Sequence, residues 1–233
     1  MRIGVTGASG LVGYNFCKEA LKKNNQLNIL LRKDTDYTNR LKSKKFYGDL
    51  ENKKVLESFC RDCDVIVHSA AMISIGLESY EEIYKVNYIG TKNILDVSIK
   101  LNIKKFIFIS TVNAYNKKDL SLEFNESREL VREGNSYDLT KAKAQELVIN
   151  APNIKKCSIN PTSVLGKYDY KPSRLGKIVK TLYEGNLPFL VNGGLDVIDV
   201  EDLSKAIYTS INNGRDGESY LVSGKYRSFK EIY

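Results

Sequence analysis

The 233-residue sequence lacks several features that mark membrane, metal-binding and nucleic-acid-binding proteins. It contains no run of about 18 consecutive apolar residues, so we predict no transmembrane helix and no membrane partner. Of its four cysteines, only Cys60 and Cys63 form a closely spaced pair. A structural zinc site would require a second such pair. We therefore predict reduced thiols and no metal site.

Positive charge is in excess, with 36 lysine and arginine residues against 28 acidic ones and a net charge of +8. The basic residues occur as separate pairs, such as Lys22-Lys23, and form no arginine-rich stripe with interleaved aromatic residues. We therefore expect no nucleic-acid partner, whereas a basic surface suits a phosphorylated cofactor. A strand pattern begins at Arg2 with no charged leader before it, which predicts a cytoplasmic protein.

Short apolar runs rich in β-branched residues alternate with segments of helical period over the first 160 residues. We predict strands at 2–6, 27–31, 64–68, 104–109 and 155–159, with a weaker candidate at 44–48. Nearly all-apolar strands that alternate with helices form parallel sheets covered on both faces. The pattern therefore predicts an α/β fold with a doubly wound parallel sheet over residues 1–160.

Residues 161–233 have a looser pattern and are expected to cap the C-terminal ends of these strands. We predict helices near 173–184 and 201–212, and strands near 189–191 and 219–222. Ser228-Phe-Lys-Glu231 matches a capping box, which signals the start of a helix, but only two residues follow it. Because a single helical turn rarely forms alone, we expect the chain to be truncated at its C-terminus.

A glycine-rich segment, Gly7-Ala-Ser-Gly10-Leu-Val-Gly13, follows the first strand and opens a helix. The first glycine suits a tight turn. The second allows a pyrophosphate to approach the backbone closely, and the third allows the helix to pack closely on the strand. The amides at the start of the helix can then bind phosphates. Three glycines alone are weak evidence, but their place between the first strand and the first helix favours dinucleotide binding.

Arg32 and Lys33 follow the second strand, where dinucleotide folds contact the adenosine ribose. An acid at this place accepts hydrogen bonds from the 2′-OH of NAD, whereas an arginine accommodates the 2′-phosphate of NADP. The two cations therefore favour NADP(H), with NAD(H) as the alternative cofactor and a solvated turn as the structural alternative. Asp49, after the third strand, is a candidate contact for the adenine amino group.

Polar residues also mark the later elements. Asn87 lies on the buried stripe of a helix predicted over 79–101, where an amide requires specific hydrogen-bond partners, either structural or functional. Ser110 and Thr111 end the fifth strand and face the predicted ligand crevice. Tyr137 and Lys141, four residues apart at the start of the next helix, share one face. We expect the lysine to lower the pKa of the phenol, which would make Tyr137 a general acid/base.

In this order the motifs resemble those of the extended short-chain dehydrogenase/reductase (SDR) superfamily. They are Gly7–Gly13, Gly48-Asp49-Leu50, Asp64–Ala71, Val86–Thr91, Ser110-Thr111, Tyr137–Lys141, Asn160–Gly166 and Asp196–Asp202. The resemblance covers nearly the whole chain and implies a Rossmann domain at 1–160, a substrate-binding portion at 161–233 and a homodimer.

The resemblance also implies site residues. The catalytic set would be Thr111, Tyr137 and Lys141 with Asn87 as fourth member, and Ser110 as the fallback hydroxyl. The cofactor-binding residues would be Gly7, Ser9, Gly10, Leu11, Val12, Gly13, Arg32, Lys33, Asp49, Leu50, Ser69, Ala70, Ala71, Tyr137, Lys141, Pro161, Thr162, Ser163 and Val164. His68, the only histidine, is expected to pack beside the cofactor rather than to take part in catalysis.

Within the superfamily the sequence is most similar to the dihydroflavonol-4-reductase-like branch, on the basic residue after strand two and the segment Gly193–Val200. Val112 and Asn113 follow Thr111 where sugar-nucleotide 4,6-dehydratases carry Asp-Glu, which disfavours that activity. We expect an NADP(H)-dependent reductase of a small ketone or aldehyde. An NAD-dependent sugar-nucleotide epimerase and a non-catalytic dinucleotide-binding regulator are the alternatives.

Overall fold

The computed structural model describes residues 1–73, 78–118, 121, 123–185 and 192–232. The strands are β1 (Arg2–Thr6), β2 (Gln26–Leu31), β3 (Lys44–Tyr47), β4 (Val65–His68), β5 (Lys105–Ile109), β6 (Lys155–Pro161), β7 (Ser163–Leu165), β8 (Gly194–Asp199), β9 (Glu218–Val222) and β10 (Lys225–Ser228). The helices are α1 (Leu11–Lys22), α2 (Lys53–Cys60), α3 (Tyr80–Tyr84), α4 (Gly90–Lys100), α5 (Ser136–Ile149), α6 (Arg174–Tyr183), α7 (Val200–Asn213) and α8 (Phe229–Ile232). The strand predicted near 189–191 lies outside the described residues.

The central sheet has seven strands in the order β3-β2-β1-β4-β5-β6-β9, and every neighbouring pair is parallel. The winding reverses between β1 and β4, which are neighbours in the sheet but not in sequence. Ligands of doubly wound sheets bind outside the carboxyl ends of the strands at such a reversal. The prediction of a doubly wound parallel sheet is confirmed, and the crevice at β1 and β4 is where a site is expected.

Apolar side chains cover the sheet on both faces. One face buries Phe16 and Ile29 in a cluster that includes side chains of α1 and α7. The other buries Phe59 and Phe106 together with apolar residues of α2, α4 and α5. The two layers explain why the strands carry nearly continuous apolar runs, because neither face meets water.

The chain after Pro161 contributes to two sheets. β9 pairs with β6 at the edge of the large sheet, and β7, β8 and β10 form a separate three-stranded sheet in the order β10-β8-β7. The capping box at Ser228 and Glu231 forms, because each side chain bonds the backbone amide of the other residue. Within the described ranges no helix is both long enough and apolar enough to cross a membrane.

The helical segment predicted over 79–101 is interrupted. α3 passes into a five-residue π-helical turn, Lys85–Ile89, before α4 begins. A wider turn of this kind inserts one residue into the helical ladder and is frequent at functional sites. Asn87 lies in the middle of this turn and is buried.

Candidate active site

The glycine loop between β1 and α1 is built around close backbone contacts. Gly7 has a φ of +74°, a left-handed conformation that favours glycine, and a Cβ there would lie 2.6 Å from the amide nitrogen of Ala70. A Cβ at Gly13 would lie 2.3 Å from the carbonyl oxygen of Gly7. Gly10, by contrast, is exposed, and a Cβ there would lie at ordinary contact distance, 3.4 Å, from the carbonyl oxygen of Gly7. The loop therefore packs on β4 and α1 through two glycines and leaves the third exposed.

Gly10 is also the N-cap of α1 and provides no side chain to bond the first amides of the helix. The first turn contains no acidic residue. The amide donors and the positive end of the helix dipole are therefore directed to the crevice, which suits an anion such as a pyrophosphate.

Four tyrosines form a cluster beside the glycine loop, which we call the tyrosine cluster (Tyr14, Tyr37, Tyr168 and Tyr170). Tyr37 and Tyr170 stack with ring centroids 4.6 Å apart, and Tyr14 contacts both edge-on. The Tyr37 hydroxyl donates to the carbonyl oxygen of Ser9 at 3.2 Å. The cluster thus joins the loop after β2 to the loop after β7 at the edge of the glycine loop.

Arg32 and Lys33 lie at the carboxyl end of β2 and are exposed. Within the described residues neither has a hydrogen-bond or ion-pair partner. The nearby carboxylate of Asp34 is instead engaged by Lys45 at 3.0 Å and by the Tyr47 hydroxyl at 2.8 Å. These two donors lower the pKa of Asp34. The two cations therefore remain available for an anionic group, while the acid has partners of its own.

Asp49 and Leu50 follow β3. One carboxylate oxygen of Asp49 accepts hydrogen bonds from the amides of Glu51 and Asn52, which fixes the turn into α2. Leu50 is buried against Gly90, where an added Cβ would come within 2.7 Å of its side chain. A contact between Asp49 and adenine stays a prediction.

A buried hydrogen-bond chain runs through His68 at the end of β4. Its Nδ1 lies 2.6 Å from the Thr6 hydroxyl and its Nε2 lies 2.9 Å from the Thr91 hydroxyl. The Thr91 hydroxyl donates to the carbonyl oxygen of Asn87, so its oxygen accepts the proton on Nε2. Nδ1 then accepts from Thr6, whose oxygen in turn accepts from the Ala70 amide. These partners assign every proton of the hydrogen-bond chain to one donor atom, and they leave the His68 imidazole neutral with its proton on Nε2.

The electrostatics of His68 agree with this assignment. Burial, with a smaller contribution from Lys141, lowers the pKa of the imidazole to about 3. The ring is fully buried and stacks on Phe108. His68 therefore joins β1, β4 and α4 as an uncharged structural group beside the crevice, in agreement with the packing role expected from the sequence.

Asn87 uses its whole amide group to hold the segment after β4. Its Oδ1 accepts from the Met72 amide at 2.7 Å, and its Nδ2 donates to the Met72 carbonyl oxygen at 3.0 Å. Nδ2 also donates to the Thr140 hydroxyl at 3.1 Å, one residue before Lys141. The amide thus ties the π-helical turn to α5. A direct or water-mediated link to Lys141 stays a prediction.

Two hydroxyl groups end β5. The Thr111 Oγ1 accepts from the amide of Asn113 at 3.2 Å, which leaves its own proton free to donate. The Ser110 Oγ is buried and has no hydrogen-bond partner among the residues that the structure describes, and the same holds for Thr162 Oγ1 just after β6. Buried polar atoms usually have partners. A polar ligand group or an ordered water at the ends of β5 and β6 would supply partners for both.

Lys141 is buried, and its Nζ donates to the carbonyl oxygen of Ile109 at 2.7 Å while lying 4.1 Å from the centre of the Phe108 ring. Burial lowers the pKa of this ammonium to about 7. For Tyr137 the pKa is raised, first by burial and then by the negative charge of Asp138. The expectation that Lys141 lowers the pKa of Tyr137 is therefore wrong for this structure, because burial dominates and the ammonium is directed to Ile109.

Sequence reasoning missed a pair of buried amides behind Thr111. Asn160 Nδ2 donates to the Thr111 carbonyl oxygen at 3.2 Å and to Gln145 Oε1 at 2.6 Å. Gln145 stands four residues after Lys141 on α5. Continuing the spacing of Tyr137 and Lys141 by one further helical step would have identified it.

The residues present fit a dinucleotide. The glycine loop supplies a helix start without a side-chain cap. Within the described part of the chain, the cations after β2 have no partner and two buried hydroxyls at the ends of β5 and β6 have none either. The predicted residues Ser69, Ala70 and Ala71 follow β4 beside Gly7, and Pro161, Ser163 and Val164 lie at the junction of β6 and β7. Within the described residues no group of three His, Cys, Asp or Glu side chains could hold a metal ion, and all four cysteines are free and buried.

Residues 3–223 match the model of the "NAD dependent epimerase/dehydratase family". "Sterol demethylase protein B" of Methylococcus capsulatus is 24% identical over 234 residues, which cover 98% of this chain and 71% of the relative. A Synechocystis protein named "Putative dihydroflavonol 4-reductase" is 28% identical over 238 residues, covering 98% of this chain and 69% of the relative.

A solved UDP-glucose 4-epimerase from Thermus thermophilus, in complex with NAD, superposes on the whole chain and on 81% of its own length with a TM-score of 0.83 at 22% identity. At this identity the superposition shows the shared fold. The family match covers more than half of the sequence, and the fold is a Rossmann-like sheet of seven parallel strands. The chain therefore belongs to the NAD-dependent epimerase/dehydratase family of the extended SDR superfamily, whose members are NAD(P)-dependent enzymes.

Proposed function

We propose that the protein is an NADP(H)-dependent reductase of a small ketone or aldehyde. The observation that carries the proposal is the carboxyl end of β2. Arg32 and Lys33 are exposed there without partners among the described residues, while Asp34 is held by Lys45 and Tyr47. A guanidinium or ammonium beside a 2′-phosphate gains charge-assisted hydrogen bonds. An acid that accepted the 2′-OH of NAD would require a carboxylate free of such partners.

The residues that would hold the cofactor follow from the crevice. The first-turn amides of α1 would bind the pyrophosphate, Arg32 and Lys33 the 2′-phosphate, and Lys141 the nicotinamide ribose. Ser110 and Thr162 would give their unpartnered hydroxyls to the nicotinamide half. A bound nicotinamide cofactor supplies the hydride that reduces a carbonyl carbon.

The protein side chains would then act on the carbonyl oxygen. Thr111 would donate its free hydroxyl proton as a hydrogen bond to that oxygen, and Tyr137 would transfer a proton to it. The raised pKa of Tyr137 keeps the phenol protonated at neutral pH, which is the state that a proton donor requires. The Lys141 ammonium would ease the loss of that proton only if it moved from the Ile109 carbonyl oxygen toward the phenol.

The experiment that tests this proposal identifies the cofactor and the reaction. Purified protein is assayed for copurifying nucleotide, then for oxidation of NADPH with a panel of ketones and aldehydes. We expect either no bound nucleotide or NADP, and turnover with at least one carbonyl compound. Tightly held NAD together with absence of turnover across the panel would contradict the proposal and favour a sugar-nucleotide epimerase. Cofactor binding without any turnover of carbonyl or sugar-nucleotide substrates would favour a regulator.

We also propose that residues 161–233 form the substrate-binding portion and that the protein works as a cytoplasmic homodimer.

The face proposed for the dimer contact carries a row of aromatic rings. Tyr80, Tyr84 and Tyr88 stack in sequence along α3 and the π-helical turn, and Lys143 of α5 lies over two of the rings. This face borders a groove between α4 and α5 with a volume of about 500 Å³. Tyr84→Glu should convert a dimer to a monomer in sedimentation experiments, and an unchanged sedimentation coefficient would contradict this assignment.

A further inference from the structure

A third buried side chain continues the face of α5 that carries Tyr137 and Lys141. Gln145 follows Lys141 by four residues and is 2% exposed. Residues at i, i+4 and i+8 lie one above another on a helix. The mechanism proposed above uses the first two residues of this row and gives no role to the third.

Gln145 and Asn160 use both of their amide groups completely. Gln145 Oε1 accepts from Asn160 at 2.6 Å, and its Nε2 donates to the Tyr115 hydroxyl at 3.1 Å and to the Ser219 hydroxyl at 3.2 Å. Asn160 gives its other proton to the Thr111 carbonyl oxygen and accepts from Ser158. Since every donor and acceptor has one partner, neither amide can rotate without losing a bond.

Gln145 and Asn160 contact the two ends of residues 111–115, which we call the Thr111 segment. A short 3₁₀ turn, Val112–Ala114, separates Thr111 from Tyr115. Asn160 holds the carbonyl oxygen before the turn, and Gln145 holds the phenol after it. Both amides are buried, Asn160 completely. The position of Thr111 relative to α5 is thus fixed through side chains of α5 and β6.

We propose that Gln145 and Asn160 are positioning residues, which hold the Thr111 hydroxyl in register with Tyr137 so that both can reach one carbonyl oxygen. The inference rests on the proposed reductase function for its effect on turnover, but not for its effect on the Thr111 segment. Displacement of a reacting group by about 1 Å can reduce a rate by about a hundredfold. Cofactor affinity depends on other contacts and should change little.

The test compares three variants. Gln145→Leu removes the amide at similar size. Gln145→Glu keeps an acceptor for Asn160, and its second oxygen can accept from Tyr115 and Ser219, whose hydroxyl protons can turn toward it. Asn28→Leu is the matched control, because Asn28 is an equally buried amide in β2 that bonds the Phe59 carbonyl oxygen and the Cys63 sulfur away from Thr111. The measurements are kcat and KM on an accepted carbonyl, NADPH affinity, thermal midpoint, and amide hydrogen exchange.

For Gln145→Leu we expect kcat to fall by about tenfold to a hundredfold, with NADPH affinity changed by less than about threefold. Gln145→Glu should recover kcat to within about fivefold of wild type. Asn28→Leu should lower the thermal midpoint while the folded protein keeps its kcat. Wild-type kcat in Gln145→Leu, or an equal loss of kcat in Asn28→Leu, would overturn the inference.

Hydrogen exchange separates this inference from the proposed function. Amides of residues 112–115 should exchange faster in Gln145→Leu than in wild type or in Asn28→Leu, whether or not any carbonyl is reduced. If wild type binds NADPH but reduces nothing, the reductase proposal fails and the exchange result alone decides the inference. Unchanged exchange at these amides would overturn the inference even in an active enzyme.

Discussion

The β2 end and the β5 end of the crevice differ in whether their polar groups are exposed and whether they are bonded to other protein groups. At the β2 end, Arg32 and Lys33 are exposed and have no partner within the described residues. At the β5 end, the carbonyl oxygen of Thr111 and the ammonium of Lys141 are buried and bonded to protein groups. The exceptions at the β5 end are the hydroxyls of Ser110 and Thr162.

The difference in exposure and bonding fits the separate role that we propose for each end, cofactor selection at the β2 end and proton transfer at the β5 end. An exposed cation remains hydrated at little cost and can bind an anion from many directions, so it selects a cofactor by charge. A group that transfers or orients a proton must have a fixed direction, and a buried polar group without a partner is costly. The β2 end is therefore suited to affinity and cofactor choice, and the β5 end to the chemical step.

The largest effect that would separate the two ends is expected from Tyr137→Phe. The substitution removes the proton donor but no contact of the β2 end or the glycine loop. Turnover should fall by about 10²–10⁴-fold with NADPH affinity nearly unchanged. Steady-state assays and fluorescence titration measure the two quantities, with Tyr183→Phe as control because Tyr183 is 92% exposed. Near wild-type turnover would exclude Tyr137 as the acid.

Lys141→Met should affect both binding and chemistry. It removes a buried ammonium at the end of β5 and, with it, the proposed donor for the nicotinamide ribose. A cofactor without that contact is bound less tightly and less precisely, so turnover and NADPH affinity should each fall by about tenfold or more. Lys143→Met is the matched control on the same helix, because the Lys143 ammonium lies over tyrosine rings at the surface. Wild-type affinity in Lys141→Met would show that the ribose contact is wrong.

Arg32→Asp tests the β2 end alone. We expect the wild type to bind NADPH at least about tenfold more tightly than NADH, a difference of about 1.4 kcal/mol, and the variant to reverse the order. Calorimetry measures both dissociation constants. Arg61→Asp makes the same charge change at the C-terminal end of α2 and should leave the preference intact. Equal affinities for the two cofactors in the wild type would refute the proposal of NADP(H) preference.

The smallest expected effect concerns stability at mildly acidic pH. The pKa of His68 is about 3 in the fold and about 6.5 in an unfolded chain, so the unfolded state binds the extra proton as pH falls below 6.5. This group's contribution is present above that pH and declines toward pH 3. Between about pH 7 and 5.5 the wild type should lose about 1 kcal/mol of unfolding free energy relative to His68→Gln. Urea unfolding at both pH values measures this, and parallel pH dependences would contradict a neutral buried imidazole.

The sequence predicted the elements whose pattern is local. The sequence pattern located all seven strands of the parallel sheet to within about two residues, and the glycine spacing located the turn before α1. It did not predict the π-helical turn at Lys85–Ile89, because the helices on either side of the turn each keep the ordinary helical period. Nor did it predict α2, β8 or β10. α2 and β10 begin at lysines, and the six residues of β8 carry two aspartates among apolar residues.

The site was predictable where one motif holds its residues together, as with Tyr137 and Lys141. The pair Gln145 and Asn160 was not predicted, since all their partners but Ser158 lie 15 to 74 residues away and meet them only in the fold. The direction of the pKa shift of Tyr137 was also wrong. It depends on how deeply the phenol is buried, and the spacing of residues carries no information about that depth.

The tyrosine cluster also gives the molecule an optical property. The chain has 15 tyrosines and no tryptophan, so its intrinsic fluorescence comes from phenol rings. Four of these rings lie together beside Ser9, where Tyr37 contacts the glycine loop directly. Tyrosine emission overlaps the absorption of a reduced nicotinamide but not that of an oxidised one. Energy transfer from tyrosine should therefore report binding of the reduced cofactor to the unlabelled protein, and loss of the transferred emission should follow its oxidation in real time.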